Sequence, residues 1–378
     1  MGSVPKGDGV RETGFFMRVV VFANETEQYA GVRHRALWYA DRLAADGHAV
    51  RFCPTAPVSW WRRLYHRKSR FSKLLYLFMV LLRRMAQLRH VPGADVVFVK
   101  GPLFLYGPPL LERVVRRLNP RIVFDMDDAL WERPAYVRSP FTGLIDYAWP
   151  RKMAALARHA VAGNRVIEAY LRDHGARAVT VVPTCVDPAR YAQKTYPARG
   201  AGAPLVLGWT GIRDNLGYLR TLGGALAELS REFPLELLVV SDGELELPGV
   251  KVVNRPWTVE GELAALQEPD IGLMPLEDTP RARGKCAFKA LQYMCAGTPV
   301  ILSPVGMNTE VVEDGVSGFL ADTPEQWKER IRALAADPAL RERMGRAGRA
   351  RVREAYSFET HYPRFLEVLR SAAEETGR

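Results

Sequence analysis

The stretch AQKTYPARGAGAPLVLGWTG, residues 192–211, decides the architecture. Its first thirteen residues are polar and rich in Gly, Pro and Ala, a composition that builds no core and reads as a linker. Its last seven, LVLGWTG, form an apolar strand running into a glycine turn. A strand that starts afresh this far along announces a second domain, and 378 residues exceed what one ordinary core serves.

Working outward, strand-like runs alternate with helical stretches on both sides of the linker. Upstream lie MRVVVFA (17–23), AVRFCP (49–54), ADVVFVKG (94–101), RIVFDMDD (121–128), HAVAGN (159–164) and AVTVVPT (178–184). Downstream lie LVLGWTG (205–211), LELLVVSDG (235–243), VKVVNRPW (250–257), DIGLMPL (270–276), PVILSPVG (299–306) and GFLAD (318–322). Near-continuous apolar strands alternating with helices predict parallel, doubly wound sheets. The expected fold is α/β, with two Rossmann-like domains facing across a cleft. They span 17–191 and 205–355, joined by the linker 192–204 and followed by a terminal helix over 356–378. Ligands of such sheets sit beyond the C-terminal strand ends, so the loops after the strands should carry the function.

Apolar content of 48% and charged content of 25% are those of a globular protein. Cysteines 53, 185, 286 and 295 show no metal-ligand spacing and read as reduced thiols of a cytoplasmic protein. Residues 1–16 lack the apolar centre of a signal peptide and read as a loose leader. Residues 1–200 carry 32 Lys+Arg against 16 Asp+Glu, whereas residues 201–378 carry 21 against 26. The basic half should face something anionic. Ten cations and no acid lie between Asp46 and Asp95. There, in 59–90, Trp60, Trp61, Tyr65 and Phe71 accompany an apolar run of nine residues (74–82), far short of the ~20 that cross a bilayer. An amphipathic helix at an anionic membrane surface fits this stretch, and so does a core helix with a solvated basic face. No nucleic-acid-binding motif accompanies the charge.

Two stretches of the second half point to phosphate. GWTGIRDNLGYL (208–219) is a strand, a Gly turn at Gly211 and a helix start beside Arg213. Free N–H groups at helix starts bind phosphate; the plainer reading is a tight turn with Asp214 or Asn215 as a cap. RARGKCAFKALQYMCAGTPV (281–300) sets Arg281, Arg283 and Lys285 before an apolar helix that holds Lys289. Cations are unfavourable at the positive end of a helix unless an anion sits there. A diphosphate held between these two loops would answer both repulsions; a solvated basic turn is the alternative.

The segment GKCAFKALQYMCAGTPVILSPVGMNTEVVEDGVSGFL (284–320) resembles family-4 glycosyltransferases of the GT-B fold. So do VVPTCVDPARY (181–191), FDMDDALW, DIGLMPL and the ending MGRAGRARVREAYSFETHYPRFLEVL (344–369). The resemblance runs over roughly 17–370 in the family's order. It implies an N-terminal acceptor domain, a C-terminal donor domain and a last helix that crosses back to the first domain. It also implies a hexosyltransferase-type transfer from a nucleotide-diphosphate sugar, with retention at the anomeric carbon and neither metal nor other cofactor. By position, Arg213 and Lys285 would hold the diphosphate, with Gly211, Arg283 and the backbone of Cys286, Ala287 and Phe288 around it. Gln292 would meet the nucleotide ribose.

Two departures stand out: the family's paired glutamates are replaced by Gly284 and Gln292, and its lysine shortly after the arginine is absent. An inactive binding protein of the same fold is therefore the rival reading; an NAD enzyme is a poor one, because no G-x-G-x-x-G follows the first strand. FDMDD (124–128) admits a cleft role for Asp127 or Asp128, a helix cap, or a DxD metal pair as in the other glycosyltransferase fold. Asp128 is the candidate catalytic carboxylate. In YAGVRHRALW (29–38), Gly31, Arg33 and Arg35 would face the cleft and an anionic acceptor, and His34 is a weaker candidate base. The resulting expectation is a cytoplasmic enzyme, peripheral at the inner face of the plasma membrane. Its acceptor would be lipid-linked or otherwise anionic, a precursor of a surface glycan or glycolipid.

Overall fold

The computed structural model describes residues 15–65, 69–133, 143–196 and 202–374. The leader up to residue 14, residues 66–68 and residues 197–201 of the linker lie outside them, as do the side chains of Trp61 and Tyr65.

Among the described residues, twelve strands form two six-stranded parallel sheets. The first contains β1 (Arg18–Ala23), β2 (Ala49–Pro54), β3 (Val96–Lys100), β4 (Ile122–Met126), β5 (His159–Ala162) and β6 (Val179–Val181), in the order β2-β1-β3-β4-β5-β6. The second contains β7 (Leu205–Thr210), β8 (Leu235–Ser241), β9 (Lys251–Pro256), β10 (Ile271–Met274), β11 (Val300–Leu302) and β12 (Phe319–Leu320), in the order β12-β11-β10-β7-β8-β9. Both orders reverse once, between β1 and β3 in the first sheet and between β7 and β10 in the second. At such a switch point the flanking loops leave in opposite directions and open a crevice for a ligand.

The apolar runs are continuous because both faces of each sheet are covered. Val19, Val21 and Phe98 of the first sheet pack under Phe365, Val368 and Leu369 of the last helix, Phe358–Ala373. That helix starts at Ser357, whose Oγ accepts the Thr360 N–H, and it lies on the sheet of the opposite half of the chain. Each such buried side chain contributes about 1.5–3 kcal/mol. Leu207, Trp209, Leu237 and Ile331 form the corresponding layer of the second domain.

The basic stretch 59–90 becomes the helix Arg70–Gln87, capped by Ser69. Tyr76 and Val80 point inward, whereas Phe71, Leu74, Leu75, Phe78, Leu81, Leu82 and Met85 are exposed, Phe71 by 74%. These spacings of three and four draw one apolar stripe on the solvent side, the reverse of an ordinary surface helix. The inner face is pinned by Arg84, fully buried and thus no part of the basic surface expected of this stretch. Its five N–H groups donate to the carbonyls of Leu103, Cys53 and Ala23, to Gln87 Oε1 and to Thr55 Oγ1, at 2.5–2.9 Å. No helix among the described residues is long and apolar enough to cross a membrane.

Candidate functional site at the facing strand ends

In the second domain, Gly211 follows β7 and donates its N–H to the Val240 carbonyl (3.1 Å). A Cβ here would lie 2.7 Å from the Trp209 ring and 3.2 Å from Lys289 Nζ, so only glycine fits. Arg213 is exposed and anchored by its backbone N–H to Asp242 Oδ1 (2.6 Å) and by Nη2 to the Asp242 carbonyl (2.9 Å). Its guanidinium has no carboxylate partner among the described residues.

The loop after β10 leads to Ala287, a non-glycine residue with φ of +50°, and then to the helix Phe288–Ala296. Ala287 occupies the N-cap position, where its methyl group accepts nothing, so no side chain caps the first-turn N–H groups. The four cations around this start have different fates. Arg281 reaches into the first domain, donating to the Glu132 carbonyl (2.9 Å) and pairing with Asp128 Oδ2 (3.4 Å). Arg283 is exposed and forked onto Asp278 (2.6 and 2.8 Å), so it is spent on a surface pair instead of the diphosphate site expected for it. Lys285 leans over Tyr218 on the short helix after Arg213, and Lys289 lies over the Trp209 ring at 3.9 Å. Neither lysine has a carboxylate partner among the described residues. Burial, and then Lys285, pushes the Lys289 amine well below its usual pKa.

Four further residues of this loop and helix lie at or beside the contact between domains. Cys286 donates its thiol to the Asp127 carbonyl (3.0 Å), and burial pushes that thiol up to about 12, which makes it inert. Phe288 packs on His34 with ring centroids 4.4 Å apart and the rings tilted by 57°. Burial, then Arg33 and Arg190, keep His34 neutral. Gln292 is 4% exposed and donates to Glu262 Oε1 (3.1 Å). Gly284 packs on Ala129, where a Cβ would come within 2.6 Å, so the glutamate of the family pattern has no room here.

In the first domain the aspartates of β4 part company. Asp125 is buried and forked by Arg35, whose Nε lies 3.1 Å from Oδ2 and whose Nη1 donates to the Val182 carbonyl (2.7 Å). Arg35, expected to line the cleft, is therefore an internal strut, its side chain 1% exposed. Asp127 pairs instead with Lys100 at the end of β3, at 2.6 Å. Burial opposes both charges most strongly, but the surrounding charges together outweigh it: Lys100 and Arg35 hold Asp127 below its ordinary value, and Asp127 and Asp125 hold Lys100 above its own. Because a different cation takes each carboxylate, the Asp-Met-Asp pair does not converge on one point as a DxD metal pair would. Among the described residues there is no cluster of three metal-ligating side chains.

Gly31 stands against the Lys100–Asp127 pair, 3.4 Å from Asp127 Oδ2 at the position of a Cβ. Asp128 caps the following turn through the Ala129 N–H (2.9 Å) and takes Arg281 from across the cleft. Arg33 also crosses, to Glu262 Oε2 at 2.8 Å. Asn164, after β5, donates to the carbonyls of Gly284 and Lys285 (2.9 and 3.2 Å).

Sequence reading missed four of these residues: Glu25, Lys100, Asn164 and Glu262. Lys100 had a signal, a lone cation closing the buried run VVFVK. Glu25 follows β1, and burial with Asp127 raises its pKa to about 7 against the opposing Lys100.

Residues 279–351 match the family model of glycosyl transferases group 1. A D-inositol 3-phosphate glycosyltransferase from Nocardioides sp. is 36% identical over 88 residues, 23% of this chain and 19% of that protein. An alpha-maltose-1-phosphate synthase from Mycobacterium tuberculosis is 38% identical over 88 residues, 21% of this chain and 23% of that one. This chain thus spans about a fifth of the length of these relatives. Among solved structures, a sucrose-phosphate synthase from Thermosynechococcus elongatus superposes with a TM-score of 0.69 at 17% identity, over 94% of this chain and 98% of that one. Anabaena HepE, solved in complex with UDP and glucose, gives 0.63 at 15% identity, over 94% of this chain and all of the other. The likeness to both is one of fold, GT-B.

Proposed function

We propose that this chain, a GT-B protein carrying the group 1 glycosyltransferase signature, transfers a sugar from a nucleotide-diphosphate donor to an acceptor hydroxyl with retention of configuration. The observation that carries the reading is the uncapped start of the helix Phe288–Ala296 at Ala287, at the switch point of the second sheet. Lys285 and Lys289 flank it without carboxylate partners, and the guanidinium of Arg213, on the loop after β7, has none either among the described residues. A diphosphate there accepts the free N–H groups and neutralises the lysines. As the bond from the anomeric carbon to the phosphate oxygen breaks, negative charge grows on the diphosphate, where fixed donors lower the barrier most. The acceptor oxygen forms the new bond, and its proton ends on the released diphosphate. Three cations do the work a metal does elsewhere. Anabaena HepE, of the same fold, was solved with UDP, which supports a nucleoside diphosphate as the ligand class.

The Lys100–Asp127 pair belongs to the sugar side of the cleft, and the missing side chain of Gly31 leaves room beside the Asp127 carboxylate. The ribose contact assigned to Gln292 passes to the Gln292–Glu262 pair, because the amide already donates to that carboxylate. The exposed apolar stripe of Arg70–Gln87, flanked by the exposed Arg62, Arg63 and Arg89, suits an anionic lipid surface on the cytoplasmic side, and hence a lipid-linked acceptor on the way to a surface glycan. The second reading, an inactive binding protein, has its own observation: Gly284 is walled off by Ala129, and Glu262 occupies Gln292.

The test is thermal unfolding with UDP, GDP, ADP and TDP in EDTA, for wild type and Lys285→Ala. A ligand bound by the native state alone, at 100 times its Kd, stabilises by about 2.7 kcal/mol. One nucleotide should raise the midpoint without metal, and Lys285→Ala should abolish the rise. A rise that needs Mn²⁺ overturns the metal-free site. Nucleotide binding with no turnover or hydrolysis of any donor sugar favours the inactive reading.

A further inference from the structure

The loop that leads into the helix Phe288–Ala296 is built by the second domain and held by the first. The carbonyls of Gly284 and Lys285 both turn toward Asn164, whose side-chain amide donates to them at 2.9 and 3.2 Å. Asn164 Oδ1 meanwhile accepts the Ile167 N–H (2.9 Å) and caps the helix Arg165–Asp173. An asparagine amide has two N–H donors and one oxygen, so these three bonds use both hydrogens and fix which end of the amide faces the loop. Asn164 is 3% exposed, and bulk water does not replace a partner lost there.

The neighbouring residues are cut to allow this approach. A Cβ at Gly163 would run into the Cys286 sulfur and come within 3.1 Å of Asp127 Cα. The Cys286 thiol donates to the Asp127 carbonyl, and Gly284 packs on Ala129. Residues 284–286 thus dock on the loops that follow β4 and β5, and the docking has a direction. The C=O and N–H of one trans peptide unit point to opposite sides. Carbonyls that face Asn164 therefore turn the N–H groups of Lys285 and Cys286 away from it. The Lys285 N–H closes the preceding turn on the Ala282 carbonyl (3.1 Å), and the Cys286 N–H leads into the uncapped helix start at Ala287. Successive N–H groups turned to one side make an anion-binding concavity. The same loop turned over would present carbonyl oxygens to a phosphate and repel it.

We infer that Asn164 is a positioning residue of the donor site: from the first domain it holds the two carbonyls that, turned the other way, would face the diphosphate. It touches no substrate and acts through the loop 284–287. The role rests on the donor site proposed above and adds a condition to it: the second domain binds a diphosphate at full strength only while the first is docked on this loop. Such coupling is reciprocal, so a bound diphosphate tightens the docking by the same factor.

Asn164→Ser and Asn164→Asp separate this role from plain helix capping, because Ser and Asp cap helices about as well as Asn but neither offers the two amide donors. Calorimetric titration of the full chain in EDTA compares UDP, GDP, ADP and TDP, each beside its nucleoside monophosphate. For the nucleotide that wild type binds, both variants should lose about tenfold or more in affinity for the diphosphate and less than about threefold for the monophosphate. Equal losses for the two ligands, or wild-type affinity for the diphosphate in both variants, overturn the assignment. Hydrogen exchange on wild type needs no variant to fold. Saturating diphosphate should slow exchange over 163–168 of the first domain as well as over 284–291, and protection confined to the second stretch overturns the coupling. The two failures are distinguishable. A wild type that binds none of the nucleotides removes the donor reading and this role with it, whereas nucleotide binding that both variants retain removes the role of Asn164 alone.

Discussion

Arg33 of the first domain and Glu262 of the second meet at 2.8 Å across the cleft, both largely buried, and Glu262 also accepts the Gln292 amide at 3.1 Å. One carboxylate thus ties a residue expected at the acceptor to a residue expected at the ribose. Removing either end alone strands a buried partner, so Glu262→Ala should cost about 1–3 kcal/mol of unfolding free energy in urea. A double-mutant cycle on Arg33→Met and Glu262→Gln should return a coupling of about 0.5–3 kcal/mol. A coupling of zero would mean that the pair is incidental to the contact between the domains.

Glu25 makes the stability of the first domain pH-sensitive. Its pKa is about 7 in the fold against 4.5 as the ordinary value, because burial and Asp127 disfavour the charge. Between these values the native state holds more proton than the unfolded chain, so this group's contribution to stability falls as pH rises from about 4.5 to 7 and is level above. Glu25→Gln, which copies the protonated form, should match wild type at pH 4.5 and exceed it by about 1–3 kcal/mol at pH 8. Urea melts at the two pH values decide it, and a variant less stable than wild type at pH 8 contradicts the sign.

All twelve strands were legible in the sequence, because a parallel sheet covered on both faces writes itself as short apolar runs between turn residues. The side chains at the strand ends were not. Arg33 and Arg35 are two positions apart on one turn and read as equivalent, yet Arg33 crosses the cleft to Glu262 and Arg35 dives onto Asp125. Which carboxylate a cation meets depends on partners 229 and 90 residues away, and no local pattern encodes that. Arg84 misleads in the same way: amid ten cations it reads as surface charge, whereas its five neutral acceptors come together only when β1, β2 and the loop after β3 do. The cations before the helix Phe288–Ala296 were legible because three basic residues ahead of an apolar helix are a local signal, whereas the pairing of Arg283 with Asp278 and of Arg281 with Asp128 was not.

The outward stripe of Arg70–Gln87 should behave as a membrane surface. Phe71, Phe78 and Leu82 are each more than half exposed, so Phe78→Ser with Leu82→Ser should leave the melting midpoint nearly unchanged. Partitioning onto vesicles with 30% phosphatidylglycerol should fall at least tenfold, since each buried apolar side chain is worth about 1.5–3 kcal/mol. Equal binding of wild type and variant would assign the affinity to the basic residues alone.

Lys289 offers the most direct reading of the donor site. Its amine lies over Trp209, and burial together with Lys285 drives its pKa well below the ordinary 10.5. With nothing bound, two neighbouring ammonium groups at the positive end of a helix repel each other and the dipole. A diphosphate reverses that balance and raises the pKa, so nucleotide binding above the depressed value must draw in a proton. Calorimetric titration at pH 8–9, in two buffers of different ionisation enthalpy, should show this uptake for the nucleotide that raises the melting midpoint. Lys289→Met should bind it at least tenfold more weakly and with no uptake, because the amine over Trp209 is the group that gains the proton and methionine carries none. Uptake that survives the substitution would move the titrating group to another residue, and full affinity in Lys289→Met would leave Arg213 and Lys285 as the sole cations on the diphosphate.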